Sequence, residues 1–354
     1  MNKRVKIICT IGPSSSNSDI LNKFKERGVD YFRINLSHTN TEDIETKILE
    51  LKKYGVPIIL DTEGPQVRTG NVDEILFREG DSVRVYSKEV MCDSENLFLT
   101  PQRIVNSFEV GDEISLAFGS ATFVVEDTSN LESDGFIICK VLLGGEIGRK
   151  KAVHIDGPNF LLHDFSEKDM YAIELAKRQS IKYFTLSFME SADSVQKIRD
   201  FYPDAILYSK IESRKGLVNF DSILETSDGI LIDRGDLSSH IPIHKIPVIQ
   251  KHLIEKCRNK GKDLFVATDT LQNMFSNHRP NAADANDIVN TLLDGATGIA
   301  LTKETAVGKY PIQTVEMMNK IIDYIEYISG FDSLHHPDIL KSILEESKPK
   351  SLKN

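Results

Sequence analysis

Two short clusters hold the residues best suited to chemistry. One is Ser209-Lys210-Ile211-Glu212, closing the apolar run AILYSKIE. The other is Asp233-Arg234-Gly235-Asp236, closing GILIDRGD. A lysine just before one carboxylate, with a second carboxylate after a glycine about two dozen positions on, suits phosphoryl transfer. The lysine can neutralise charge on the group in flight, and the carboxylates can hold a divalent metal. The glycine lets backbone approach an anionic substrate closely. Taken alone, the SKIE segment also fits a salt-bridged strand end at a surface, so its surroundings in the chain decide.

Those surroundings alternate between two patterns. VKIICTI (5–11), VDYFRINL (29–36), VPIILD (56–61), KYFTLSF (182–188), AILYSKI (205–211), GILID (229–233), DLFVAT (263–268) and GIAL (298–301) are apolar on consecutive positions. That is the pattern of parallel strands covered on both faces. Helical periodicity falls between them, over 18–27, 40–54, 167–179, 192–201, 246–260 and 283–293. Such alternation predicts an α/β fold, a (β/α)8 TIM barrel whose active site lies at the carboxyl ends of the strands. Each run does end in polar residues. In order they are Thr10 to Pro13, Arg33 with Asn35, Ser37 and His38, Asp61 to Pro65 with Arg68, Ser187, Lys210 with Glu212, Asp233 to Asp236, Thr268-Asp269, and Thr302 to Glu304.

Between about 70 and 152 the texture changes to short, often alternating runs split by turn signals, such as ILFREGDSVRVY and EISLAFGSATFVVED. This predicts a small all-β lid domain inserted after the third strand, over 70–152. The barrel is then expected over 1–69 and 153–330, and a short helical and flexible tail over 331–354.

A net charge of −10 argues against broad nucleic-acid binding. No stretch approaches the roughly 20 apolar residues of a membrane helix, and the N-terminal apolar run is too short for a signal peptide. Cys9, Cys92, Cys139 and Cys257 form no CxxC pair and suit free thiols in a reducing compartment. The expectation is a cytoplasmic protein without nucleic-acid or membrane partners.

Laid out in order, CTIGPSS, RINLSH, DTEGPQVRTG, SKIES, DGILIDRGDL, RPNAADANDIVN and KETAVGKYP resemble the successive signature segments of the pyruvate kinase family. The resemblance covers roughly residues 3 to 326 and includes a β lid after the third strand. It implies metal-dependent phosphoryl transfer between phosphoenolpyruvate and ADP, giving pyruvate and ATP. It also implies roles for single residues. Lys210 stabilises the phosphoryl group in flight, Glu212 and Asp236 hold Mg2+ or Mn2+, and Arg33 grips the phosphate of the substrate. Asn35, Ser37, Asp61 and Thr62 form a site for K+. Thr268 lies near the substrate carboxylate and the protonation step, and Gly235 and Asp236 offer backbone amides to that carboxylate. His38, Arg68 and Lys151 lie on the nucleotide side. Metal, lysine and arginine together spread positive charge around the phosphoryl oxygens, which is most of what this chemistry demands.

The sequence also departs from the family pattern. The family's carboxyl-terminal domain, which carries effector binding and part of the oligomer contact, is not matched, so sugar-phosphate control is not expected and a homo-oligomer stays an open question. LAFGSATF stands where the lid has an Asp-Asp-Gly turn. Glu63 stands where the family usually has lysine, neutral Gln66 stands where a glutamate or lysine bears on potassium dependence, and Glu190 stands where arginine is common. The wall expected to enclose the methylene end of the substrate is small and apolar in the family. Here the matching positions are Leu231, Asp233, Ala300, Thr302 and Lys303, with Asp269-Thr270 in place of Gln-Met. Two readings follow. An Asp233–Lys303 ion pair neutralises the wall, or the pocket accepts a larger, more polar enol phosphate through Asp233 and Lys303. A binding or regulatory module without activity is the remaining alternative.

Overall fold

The computed structural model describes residues 5–65, 67–70, 74–117, 119–148, 151–156 and 165–328. Gln66, Phe118 and the tail, with its expected helix, lie outside these. The chain divides into two compact units, Met1–Thr62 with Tyr171–Asn354, and Glu63–Met170.

The first unit is a closed (β/α)8 barrel. Its parallel strands are β1 (Lys6–Thr10), β2 (Tyr31–Asn35), β3 (Ile58–Asp61), β4 (Tyr183–Leu186), β5 (Ile206–Ile211), β6 (Gly229–Asp233), β7 (Asp263–Ala267) and β8 (Gly298–Leu301). Each pairs with the next, and β8 closes on β1 through Ile7↔Ile299 and Ile8↔Ala300. The strands are buried on both faces, which is why their sequences read as continuous apolar runs rather than alternating ones. The intervening helices bury one stripe each. In Ile246–Asn259 the buried positions are Ile246, Gln250, Leu253, Ile254 and Cys257, a three- and four-residue spacing that faces the sheet.

Side chains fill the barrel interior: Ile8, Tyr31, Ile59, Tyr208, Leu231, Phe265, Ala267 and Ala300 form one apolar cluster. The rings of Tyr208 and Phe265 meet edge to face at 5.1 Å. A Cβ at Gly298 would lie 2.5 Å from the Phe265 ring, so this strand position must stay bare. Leu231 and Ala300, expected in the substrate wall, thus belong to the packed interior.

Two strands end earlier than the apolar runs suggest. β4 stops at Leu186 because Phe188 takes a left-handed backbone (φ 52°), and β7 stops at Ala267 because Thr268 does the same (φ 62°). Both turns aim a group at the strand ends, as the site geometry shows. The segment 40–54 opens with a 3-10 turn, Thr41–Asp43, before the α-helix Ile44–Lys52.

The second unit is a closed seven-stranded β barrel with a separate two-stranded sheet. Its strands alternate buried and exposed residues, as in Ala121–Asp127, where Ala121, Phe123 and Val125 turn inward. Val67–Thr69 and Ala152–Asp156 pair with each other as strands of this unit, so it is wider than the segment 70–152. Among the described residues no helix is long and apolar enough to cross a membrane.

Candidate active site

β5 carries Lys210 to the carboxyl end of the barrel with its ammonium almost fully buried. Three carboxylates surround Nζ: Glu212 Oε1 at 2.8 Å, Asp61 Oδ1 at 3.4 Å and Asp233 Oδ2 at 3.9 Å. Nζ donates to Ser187 Oγ at 2.9 Å, and Ser187 in turn donates to the Thr62 carbonyl at 2.6 Å. Burial pulls the lysine pKa down, but Asp61, Glu212 and Asp233 outweigh it and hold it well above its ordinary value. Lys210 is a fixed positive charge at any physiological pH.

Arg33 comes from β2 and is equally buried. It donates to Thr10 Oγ1 at 2.7 Å and to Asp61 Oδ2 at 2.5 Å, while its Nε has no partner. Asp61 is thus gripped between the two cations and also accepts from Thr185 Oγ1 at 2.5 Å. Burial would raise the Asp61 pKa, yet Arg33 and Lys210 lower it below the usual carboxylate range.

Glu212 is fully buried. Its Oε2 accepts the Phe188 amide at 2.7 Å, which is what the left-handed Phe188 backbone provides. Oε1 meets the Lys210 ammonium at 2.8 Å as an ion pair and has no other partner. Burial pushes Glu212 well above the usual range; Lys210 opposes this, while Asp236 and Asp233 add to it. One carboxylate oxygen from each of Glu212, Asp233 and Asp236 lies within 4.8 Å of the other two. Three neighbouring carboxylates are a hard, oxygen-only donor set that fits Mg2+ or Mn2+.

Thr268 follows β7 and links the next strands. Its hydroxyl accepts the Gly235 amide at 2.8 Å and has two acceptors for its one hydrogen, the Ala267 carbonyl at 2.6 Å and Asp233 Oδ1 at 3.0 Å. A left-handed backbone is unfavourable for a β-branched residue. Arg234 holds it there, donating twice to the Thr268 carbonyl at 2.8 and 3.1 Å while pairing with Asp287 at 2.7 Å. The Gly235 amide, expected to face a substrate carboxylate, is thus occupied by Thr268.

The expected Asp233–Lys303 ion pair is not what forms. Lys303 reaches Asp269 at 3.5 Å, and both side chains are half exposed. Asp233 faces Lys210 and Thr268 instead. The barrel order explains this: β5 and β7 flank β6, whereas β8 lies beyond β7.

Residues 2–315 match the family model for pyruvate kinase, barrel domain. The chain belongs to the pyruvate kinase family. It is 35% identical to the pyruvate kinase of Geobacillus stearothermophilus over 98% of its own length, 33% identical to that of Dictyostelium discoideum over 99%, and 31% identical to that of Thermoplasma acidophilum over 94%. It spans 60% of the Geobacillus protein, 71% of the Dictyostelium protein and 60% of the Thermoplasma protein.

Within this pyruvate-kinase-family barrel, the structure brings together Lys210, Glu212, Asp236, Asp233, Arg33, Asp61 and Thr268. Asn35 sits beside Asp61 across the β2–β3 register and caps the turn of Ser37 through its side-chain oxygen at 2.9 Å. Thr62 Oγ1 accepts the Ser187 amide at 2.8 Å. His38 is exposed on the turn Leu36–His38 of the barrel unit, whereas Arg68 and Lys151 belong to the β unit. Sequence reasoning missed Thr185, the Phe188 amide and the positioning role of Ser187. Only the polar Ser187 at a strand end signalled this layer; a backbone amide leaves no trace in residue type.

Proposed function

We propose that this chain is a metal-dependent phosphotransferase that moves a phosphoryl group between phosphoenolpyruvate and ADP, giving pyruvate and ATP. The observation that carries the reading is the buried Lys210 ammonium, fixed at the strand ends among carboxylates with Arg33 one residue away across Asp61. Two immobile positive charges around a phosphoryl group in flight need no reorganisation as its charge shifts. Glu212 and Asp236 would hold Mg2+ or Mn2+. A bound divalent ion supplies further charge neutralisation and aligns phosphoryl oxygens. Asn35, Ser37, Asp61 and Thr62 supply the oxygen donors that suit K+.

Arg33 offers its unpartnered Nε to the substrate phosphate. Thr268 presents a hydroxyl held between the Gly235 amide, Asp233 and the Ala267 carbonyl, and this hydroxyl is assigned to the carboxylate end of the substrate. His38, Arg68 and Lys151 are assigned to the nucleotide, and the Glu63–Met170 unit to the role of lid. The four cysteines are free thiols, which suits a cytoplasmic setting.

A second reading is favoured by one observation. The half-exposed Asp269–Lys303 pair follows Thr268 and the end of β8; if it borders the methylene end, as the resemblance implies, it would suit a larger enol phosphate carrying a hydroxyl or charged group. Phosphorus NMR of the purified protein with phosphoenolpyruvate, ADP and Mg2+, with and without K+, tests both. Conversion at a kcat/KM of about 10⁴ M⁻¹s⁻¹ or more supports phosphoenolpyruvate. A trace rate, with tight Mg2+ uptake, supports the second reading. Failure to take up Mg2+ and phosphoenolpyruvate by calorimetry refutes both.

A further inference from the structure

We infer that Asp233 is a third carboxylate ligand of the divalent cation, so that this chain holds its metal with Glu212, Asp233 and Asp236 together. The inference rests on the proposed metal site and extends it by one residue. The position is small and apolar in the pattern that the family resemblance implies, so the carboxylate is a feature of this chain.

Three observations converge. One carboxylate oxygen from each of Glu212, Asp233 and Asp236 lies within 4.8 Å of the other two. Octahedral ligands at about 2.0–2.1 Å from Mg2+ are about 3–4 Å apart, so a small contraction makes all three ligands at once. Glu212 Oε1 is buried with only the Lys210 ammonium as partner and faces this cluster. The two oxygens of Asp233 are also divided. Oδ1 can accept from Thr268, whereas Oδ2 accepts no hydrogen bond among the described residues and stands 3.9 Å from Lys210. Asp233 is 4% exposed, and its Oδ2 has only the distant, already shared Lys210 ammonium for a counter-charge, which leaves it able to ligate a further cation.

Charge balance points the same way. At the strand ends two cations, Arg33 and Lys210, face four carboxylates, Asp61, Glu212, Asp233 and Asp236. One divalent ion restores neutrality. Mg2+ is usually held by one or two carboxylates and completed by substrate phosphate. A third carboxylate therefore raises affinity for the free ion and leaves one coordination position fewer for water or substrate.

The test uses Mn2+ alone with the full chain. Calorimetry measures its affinity, and water-proton relaxation counts the exchangeable waters on the bound ion. Orienting partners outside the ligand set already cost about 10–100-fold in metal affinity, so losing a ligand is expected to cost at least about tenfold. Asp233→Ala and the near-isosteric Asp233→Asn are both expected to show this weakening, and Asp233→Ala gains one bound water. Circular dichroism checks that each variant is folded. Unchanged affinity in both variants, with Glu212→Gln weakened, overturns the inference and leaves the metal site standing. Weakening without a gained water in Asp233→Ala also overturns it, because Asp233 then acts only through its charge. No Mn2+ uptake by the unaltered protein removes the metal site itself and the inference with it.

Discussion

Replacing Lys210 with Met keeps the shape of the side chain and removes its charge. The ammonium faces carboxylates at 2.8, 3.4 and 3.9 Å. At an effective dielectric near 20, each unit pair at about 4 Å is worth about 4 kcal/mol. The raw attraction is then on the order of 10 kcal/mol, and desolvation of several kcal/mol per ion offsets most of it. Breaking such a buried network typically costs about 3–5 kcal/mol, because carboxylates are left without a counter-charge. The metal-free variant is therefore expected to unfold at lower urea by that amount. If Mg2+ binds the same carboxylates, as proposed, it should recover more stability in the variant than in the parent. Turnover behaves differently: removing a preorganised charge from a developing anion costs about 10²–10³-fold or more, and Mg2+ does not restore it. The assay pairs urea unfolding, with and without Mg2+, with phosphorus NMR of turnover. Near-normal turnover in folded Lys210→Met protein would refute the catalytic assignment. Unchanged stability without metal would refute the charge argument.

Phe265→Ala empties the centre of the barrel interior and is expected to cost about 3–5 kcal/mol by urea unfolding. Gly298→Ala forces a methyl against that ring and should cost about 1–3 kcal/mol by the opposite route, overpacking. Arg234→Lys loses the fork that holds the Thr268 carbonyl; amide exchange of Asp269 and Thr270 should speed up, with about 1–2 kcal/mol of stability lost. Glu304 is buried, with Oε1 unpartnered, and burial raises its pKa. Its ionised form is thus penalised in the fold, and the parent gains stability as pH falls through the folded pKa toward the unfolded value of about 4.3. Glu304→Gln is therefore expected to raise the melting temperature most at pH 8, with the advantage shrinking toward pH 5; a constant difference across that range contradicts the linkage.

The barrel was legible because two-sided burial writes itself as consecutive apolar residues, and VKIICTI, GILID and DLFVAT cannot be covered otherwise. Strand ends were less legible, since Phe188 and Thr268 leave the sheet through left-handed backbone that residue type does not announce. The same limit applies to the site. Strand order places polar residues at one end, where Lys210, Glu212, Asp236, Arg33 and Asp61 lie together, but partner choice depends on which strands are neighbours. Asp233 shows why. Opposite charges at 233 and 303 suggest a pair only if strand adjacency is ignored, and β7 stands between β6 and β8. With Lys303 out of reach and drawn to Asp269, Asp233 is left facing Lys210, an ammonium already shared by Glu212 and Asp61. Arg33 answers Asp61, so Lys210 is left to serve Glu212 and Asp233 together. The departure at 233 therefore adds a third carboxylate beside Lys210, and this excess of acidic groups is what the inferred divalent cation would offset.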